Sequence, residues 1–199
     1  MPRGRYRQKQ WDERQAAILD ALTQLAATRG FANVTMDELA DAVGISKATL
    51  YQHFKSKDDM LVALIGAHTE RFVAWLAQTA DRPPLERLRA VVRYLMDGHM
   101  TPLRGLIQRE DLLPILEHHP KLIAQHHEMI AQLNAIITEG QRNGEIASDL
   151  ASPVIVRVMW MLSNVPLSEY TALRGDETYL TREAYIAQVL TLFERGLRP

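Results

Sequence analysis

Apolar residues recur at intervals of three and four along most of the chain, the spacing that places side chains on one face of an α-helix. In the first such segment Ile18, Leu22, Leu25 and Ala26 share a face, which predicts a helix over residues 12–29. No convincing run shows the alternation of β-branched residues that is typical of a half-buried strand. The pattern therefore predicts an all-α protein.

Capping residues, glycines and prolines divide this pattern into separate helices. Thr35 and Glu38 have the spacing of a capping box, Gly44 ends the helix that they begin, and Ser46 can cap the next one. The predicted helices span residues 12–29, 35–43, 46–53, 57–78, 84–97, 102–117, 120–142, 153–170 and 181–197.

Two of these short helices follow each other through a tight connection formed by Val43, Gly44 and Ile45. Ala40 is small enough to let the helices approach closely, and Gly44 permits the turn. This is the plan of a helix-turn-helix, in which the second helix enters the major groove of DNA. The sequence therefore predicts an N-terminal DNA-binding domain.

The second helix of the pair is unusually polar for its length. Only Leu50, and with it Ala48, needs to face inwards. The remaining side chains carry hydrogen-bond donors and no carboxylate: Lys47, Thr49, Tyr51, Gln52 and His53. Lys57 follows at the first turn of the next helix, where free backbone N–H groups favour a phosphate. Each residue alone would also suit a solvated surface, so the prediction of nucleic-acid binding depends on their combination.

Charge is distributed unevenly along the chain. Residues 1–57 carry a net charge of +3 and the remainder −4, which gives the overall −1. The basic residues Arg3, Arg5, Arg7 and Lys9 precede the first predicted helix without an acid among them. A basic arm ahead of a small helical domain suits a polyanion, although a solubilising tail is the alternative.

Composition excludes several kinds of functional site and bears on the location of the protein. The chain has no cysteine, which excludes disulfides, thiolate metal sites and cysteine nucleophiles and fits a cytoplasmic location. Its N-terminus lacks the apolar stretch of a signal peptide, and the apolar run 154–165 is interrupted by Arg157 and is too short to span a bilayer. We therefore expect a soluble, cytoplasmic protein with no membrane partner.

The segment from Val34 to Lys57 closely resembles the signature of bacterial transcriptional regulators of the TetR/AcrR type. The matching positions are Gly44, Thr49-Leu50-Tyr51, His53-Phe54 and Lys55-Ser56-Lys57, together with the preceding Gly30-Phe31. The resemblance covers about residues 12–65. It implies a dimeric, all-helical repressor with an N-terminal helix-turn-helix domain and a C-terminal helical domain that binds a small molecule and dimerises through its last two helices.

The resemblance also implies roles for individual residues. Tyr51 and Lys57 resemble phosphate clamps, Thr35 lies near a backbone phosphate, and Gln52 could read adenine although the family varies there. Lys47, Thr49 and His53 resemble groove-facing residues, and Phe54 packs beneath the motif. The DNA-binding residues predicted on this basis are Thr35, Ser46, Lys47, Thr49, Tyr51, Gln52, His53 and Lys57.

We expect residues 1–56 to form the basic arm and DNA-binding domain, and residues 57–199 the effector-binding and dimerisation domain, with helix 57–78 connecting them. The helix predicted at 153–170 is apolar nearly all round, as expected of a helix buried on several sides. In the last helix a stripe predicts the dimer interface, with an intramolecular core as the alternative: Ile186, Val189, Leu190 and Phe193.

An adaptable apolar cavity is predicted in the C-terminal domain, because thioethers and aromatic rings fit apolar ligands of irregular shape. The predicted wall residues are Met96, His99, Met100 and Trp160, although each also suits a plain core. The histidine pairs 118–119 and 126–127 could be imagined as a metal site, but they lack the i, i+4 spacing that places two ligands on one helix face. Surface or pocket-lining positions fit them better.

Three function classes follow from these observations. The leading hypothesis is a ligand-responsive repressor that binds a near-palindromic DNA operator as a homodimer and is released by a small apolar molecule. An architectural DNA-binding protein without an effector is the alternative. A helical enzyme is disfavoured, because no nucleophile elbow, phosphate-binding glycine loop or metal-ligand motif is present in the sequence, and we expect no cofactor and no metal.

Overall fold

The computed structural model describes residues 3–98, 118–163 and 181–199, and every regular element in these ranges is helical. The helices are α1 (Arg3–Arg29), α2 (Met36–Val43), α3 (Lys47–His53), α4 (Lys57–Ala77), α5 (Pro84–Met96), α6 (Pro120–Arg142), α7 (Ser152–Ser163) and α8 (Arg182–Leu197), with a 3-10 turn at Phe31–Asn33. The all-α prediction is confirmed. The predicted helix 102–117 and the end of the predicted helix 153–170 lie outside the described residues.

The predicted caps are present where α2 and α3 begin. The Thr35 hydroxyl accepts from the backbone N–H of Glu38 at 3.2 Å, and the Thr35 N–H donates to the Glu38 carboxylate at 3.1 Å. The Ser46 hydroxyl accepts from the N–H of Thr49 at 3.1 Å. Gly44 ends α2 at φ 71°, a left-handed conformation that residues with a Cβ rarely adopt. The boundaries of the helix pair therefore follow from local chemistry.

Helix α1 begins about nine residues earlier than predicted, at Arg3 instead of Asp12, so the basic segment is helical and not an arm. The reason is local: residues 5–11 contain no proline or glycine and are rich in good helix formers. Side chains one turn apart add support, because Gln8 donates to Asp12 at 2.8 Å and Lys9 lies 3.6 Å from Glu13.

The chain forms two compact units. Among the described residues, the first unit contains 3–69 and 118–125, and the second contains 70–98, 126–163 and 181–199. Helices α4 and α6 contribute residues to both units, so the compact units differ from the functional division at residue 56, which stays a prediction. By length and composition α4 could cross a membrane, although 44% of its apolar window is buried within the protein, including Met60, Leu64, Phe72 and Leu76.

The first unit has its core where α1, α2, α3 and the start of α4 meet. Fully buried side chains in it include Ile18, Leu22, Leu39, Leu50 and Met60. Helix α1 packs against α2, and α2 packs against α3. The short helix α3 is therefore fixed from beneath by apolar contacts, which leaves its opposite face to solvent.

The second unit has a core in which α5 packs against both α7 and α8. The stripe predicted for dimerisation, Ile186, Val189, Leu190 and Phe193, is buried inside this core. Their burial within a single chain favours the intramolecular alternative for these four residues, and their part in a dimer interface stays a prediction. An apolar stripe marks the face that a helix buries, and it does not reveal whether the covering surface belongs to the same chain.

Helix α7 is also less buried than its composition predicts. It buries Ile155, Val156 and Met159. By contrast, Val154 is 56% exposed, Val158 38% and Met161 63%. These three residues are spaced at i, i+4 and i+7 and therefore form one exposed apolar face of α7.

Candidate nucleic-acid interface

The turn between α2 and α3 is closed by backbone hydrogen bonds. Gly44 N–H donates to the carbonyl of Asp41 at 3.1 Å, and Ile45 N–H donates to that of Ala40 at 3.0 Å. Leu50, with none of its surface exposed, anchors α3 from below. The geometry is that of a helix-turn-helix with its second helix on the surface.

One face of α3 is open to solvent. Lys47, Ala48, Tyr51 and Gln52 are exposed, and their i, i+1, i+4, i+5 spacing places them side by side. Ala48, which is expected to face inwards with Leu50, lies on the outer face instead, one turn before Tyr51 and Gln52. A methyl group there suits contact with the methyl of thymine.

Lys47 already has a partner in the free protein. Its ammonium lies 2.8 Å from the carboxylate of Asp37 in α2, and this hydrogen bond raises the pKa of Lys47. Both side chains are at least half exposed, and exposed ion pairs contribute little to stability. A DNA phosphate or base could therefore replace Asp37 at small cost.

The hydroxyl groups that were predicted to contact DNA form hydrogen bonds within the protein. The hydroxyls of Ser46 and Thr49 lie 2.8 Å apart, and Thr49 is half-buried. The Thr35 hydroxyl also donates to Glu38 at 3.0 Å. The backbone N–H of Thr35, with further help from its hydroxyl and Arg29, lowers the pKa of Glu38. These groups hold the helix starts, and their contacts with DNA stay predictions.

His53 is packed against α1 instead of standing free at the surface. Its ring stacks on the indole of Trp11, with centroids 3.8 Å apart and an interplanar angle of 28°. Its Nδ1 is buried without a hydrogen-bond partner. Burial, and secondly the nearby Arg14, lowers the pKa of His53, so the ring is neutral at neutral pH. Sequence periodicity does not indicate this stack, because the predicted first helix begins at Asp12, one residue after Trp11.

Lys57 makes an unexpected set of contacts. Its ammonium donates to the carbonyls of Phe31 at 2.7 Å, Ala32 at 3.0 Å and Val34 at 3.0 Å. It also lies 4.6 Å from the centroid of the Phe31 ring. Three carbonyls match the three donors of an ammonium group, so Lys57 joins the start of α4 to the connection between α1 and α2. While these bonds hold, no donor is left for the phosphate that the resemblance implies.

Two of the four residues predicted to bind the effector lie within the described part of the chain. Met96 is buried and Trp160 packs against the core of the second unit, whereas His99 and Met100 lie outside the described residues. A groove of about 1010 Å³ lies elsewhere in this unit, on α5 and α8, and its lining is rich in charge, with Arg89, Arg93 and Glu194 among the residues. It is not the predicted apolar cavity.

Part of the chain is similar in sequence to known bacterial regulatory proteins. Residues 18–64 match the profile described as bacterial regulatory proteins of the tetR family. The transcriptional activator FasR of Mycolicibacterium smegmatis is 38% identical over 90 residues, which are 43% of this chain and 40% of FasR. The transcriptional regulator TcmR of Streptomyces glaucescens is 28% identical over 172 residues, 82% of this chain and 74% of TcmR.

Solved structures match over nearly the whole length. The ketosteroid regulator KstR2 of Mycobacterium tuberculosis superposes with a TM-score of 0.70 at 20% identity, covering 94% of this chain and 95% of KstR2. FadR of Bacillus subtilis, crystallised with stearoyl-CoA, gives 0.69 at 19% identity, covering 92% and 99%. These likenesses show a common fold. The matched helix-turn-helix segment is similar to the TetR family of bacterial regulatory proteins, although the family profile covers about a quarter of the chain and FasR is matched over two fifths of its length.

Proposed function

We propose that this protein is a cytoplasmic, ligand-responsive transcriptional regulator, without enzymatic activity, that binds a near-palindromic DNA operator as a homodimer. The observation that carries the proposal is the open face of α3, which has no carboxylate and is anchored from below by the fully buried Leu50. A short helix presented in this way can read base edges in the major groove. The alignment with FasR spans only two fifths of that protein, so it supports the DNA-binding part of the proposal.

The first prediction is that the purified protein retains specific chromosomal fragments. Footprinting should reveal one protected near-palindrome whose half-sites are separated by about 34–36 Å or a multiple of it. Gln52→Ala should reduce discrimination between operator variants by about 1–3 kcal/mol, because Gln52 is exposed beside Tyr51 and can pair with a base. Gln78→Ala, exposed in the second unit, is the matched control. Unchanged base preference in the Gln52 variant would contradict its assignment to base reading.

A second candidate function is an architectural DNA-binding protein. It is favoured by one relative, the nucleoid occlusion factor SlmA of Vibrio atlanticus, which is 37% identical over 86 residues, 44% of its length. The same footprinting experiment distinguishes the two functions. Uniform coverage of DNA, with no protected near-palindrome, would favour the architectural role.

For the effector, we propose a small apolar molecule that binds in the second unit near Met96 and Trp160 and lowers operator affinity. Support comes from the soft and aromatic side chains there, and a protein of the same fold, FadR of Bacillus subtilis, was crystallised with stearoyl-CoA. Helix α4 is continuous from Lys57 to Ala77 and supplies residues to both units, so it could connect effector binding to DNA binding.

The second prediction follows from the reciprocity of linked binding. A ligand identified by a thermal-shift screen should weaken operator binding by about 5–150-fold, and operator should weaken ligand binding by the same factor. Calorimetry with and without operator measures both. Trp160→Ala should weaken ligand binding while operator affinity without ligand stays as in the parent. Equal ligand affinity in the two titrations would show that ligand and DNA are not coupled.

A further inference from the structure

One face of α1 changes character along its length. Ile18 and Leu22 on this face have none of their surface exposed and pack in the core of the first unit. Steps of three and four residues continue the same face towards the N-terminus through Arg14, Trp11 and Arg7. The face that buries aliphatic side chains at one end thus carries an indole between two arginines at the other.

Trp11 links the N-terminal part of α1 to α3 within the first unit. Its indole stacks on His53, the last residue of α3, so the face of α1 reaches the C-terminal turn of the recognition helix. Arg14 is close enough to that turn to lower the pKa of His53. At a rise of about 1.5 Å per residue, the backbone of Arg7 lies about 6 Å beyond Trp11 along α1.

The two arginines are available for a ligand. Both are exposed, and within the described part of the chain neither guanidinium has a hydrogen bond or an ion pair. The neighbouring acids Asp12 and Glu13 point to other sides of the helix and interact with Gln8 and Lys9. A positive face therefore continues the solvent-exposed surface of α3 without a carboxylate to neutralise it.

We propose that Arg7 and Arg14 bind backbone phosphates of the DNA that flank the bases read by α3, and that Trp11 is the positioning residue that holds them beside the recognition helix. The proposal rests on the proposed DNA-binding function and adds a contact to it. A helix in the major groove brings adjacent surfaces to the sugar–phosphate backbone, and a guanidinium can bind a phosphate through two hydrogen bonds. The stack on His53 gives α1 the fixed geometry that such contacts need.

The test compares two pairs of charges on α1 in the full-length protein. Arg7→Gln with Arg14→Gln removes the proposed contacts. Arg5→Gln with Lys9→Gln removes the same charge from the opposite side of the helix and is the matched control. The probe is a short duplex that the wild-type protein has selected from a random-sequence pool, titrated over a range of salt concentrations.

The Arg7/Arg14 variant should bind several-fold more weakly at 0.1 M salt, and its log–log salt slope should fall by about 1.8 per protomer, at about 0.9 for each lost phosphate contact. The control pair should change the slope little. Equal losses in the two pairs would indicate a general effect of charge and overturn the proposal. Wild-type affinity in the Arg7/Arg14 variant would also overturn it and leave the proposed function intact, whereas failure of the wild-type protein to select any duplex would overturn the proposed function itself.

The positioning role of Trp11 is tested by a double-mutant cycle. Trp11→Ala removes the stack, and in its presence the Arg7/Arg14 substitutions should cost clearly less affinity than in the wild type. Trp11→Phe keeps an aromatic ring on His53 and should restore most of the arginine effect. Circular dichroism checks that each variant is folded. An undiminished arginine effect in folded Trp11→Ala would show that Trp11 does not position the two side chains.

Discussion

Replacement of Lys57 by methionine should lower the free energy of unfolding by about 2–4 kcal/mol, because it leaves three backbone carbonyls without their charged donor. These carbonyls belong to Phe31, Ala32 and Val34, which connect α1 to α2. Loss of the three hydrogen bonds should also release the start of α2 and so weaken DNA binding. Urea unfolding measures the first effect, and a salt titration of DNA binding measures the second.

Two further variants separate this bracing role from the phosphate contact that the family resemblance implies. Lys55→Met removes an exposed lysine two residues away and should leave stability nearly unchanged. Lys57→Arg keeps the charge, but a planar guanidinium cannot direct its donors to three converging carbonyls as an ammonium does, so stability should still fall. If Lys57→Met leaves stability intact and only reduces the salt slope by about one, Lys57 is a phosphate clamp and not a brace.

Helix boundaries set by neighbouring residues could be predicted from the sequence, whereas contacts between distant residues could not. The boundaries of α2 and α3 could be predicted because Thr35, Gly44 and Ser46 act through their immediate neighbours. The partners of Lys57 lie 23–26 residues away in the sequence, and no spacing rule indicates them. The Trp11–His53 stack is equally non-local, and it also depended on an earlier start of α1 than the sequence suggested.

The C-terminal half shows a different limit. Periodicity correctly identified the buried face of α8, since Ile186 and Phe193 are both in the core. It could not decide between a core and a partner, because both bury the same kind of side chain. The exposed fraction of a side chain in the folded chain distinguishes a core face from a face that could contact a partner. Leu192 is 71% exposed on α8, and α7 exposes Val154, Val158 and Met161. We propose that these four residues, and not the buried stripe, face a second copy of the chain.

Val158→Glu combined with Met161→Glu should therefore convert the proposed dimer into folded monomers at micromolar concentration. A two-fold interface places each substituted face against the same face of the other copy, so four carboxylates would meet in one desolvated seam. Loss of the second recognition helix should lower operator affinity about 100-fold or more, because the two half-sites are no longer bound together. Sedimentation velocity gives the oligomeric state, and thermal unfolding followed by circular dichroism verifies the fold.

Two comparisons make this result specific. Ala135→Glu with Thr138→Glu adds the same charge to an exposed side of α6 and should leave the dimer intact. Leu190→Glu with Phe193→Glu should instead unfold the second unit, because each carboxylate would be buried in the core of its own chain without a partner. A contrary result would be a folded monomer from the Leu190/Phe193 variant together with an intact dimer from the Val158/Met161 variant. It would show that the dimer interface is formed by the apolar stripe of α8 that contains Leu190 and Phe193.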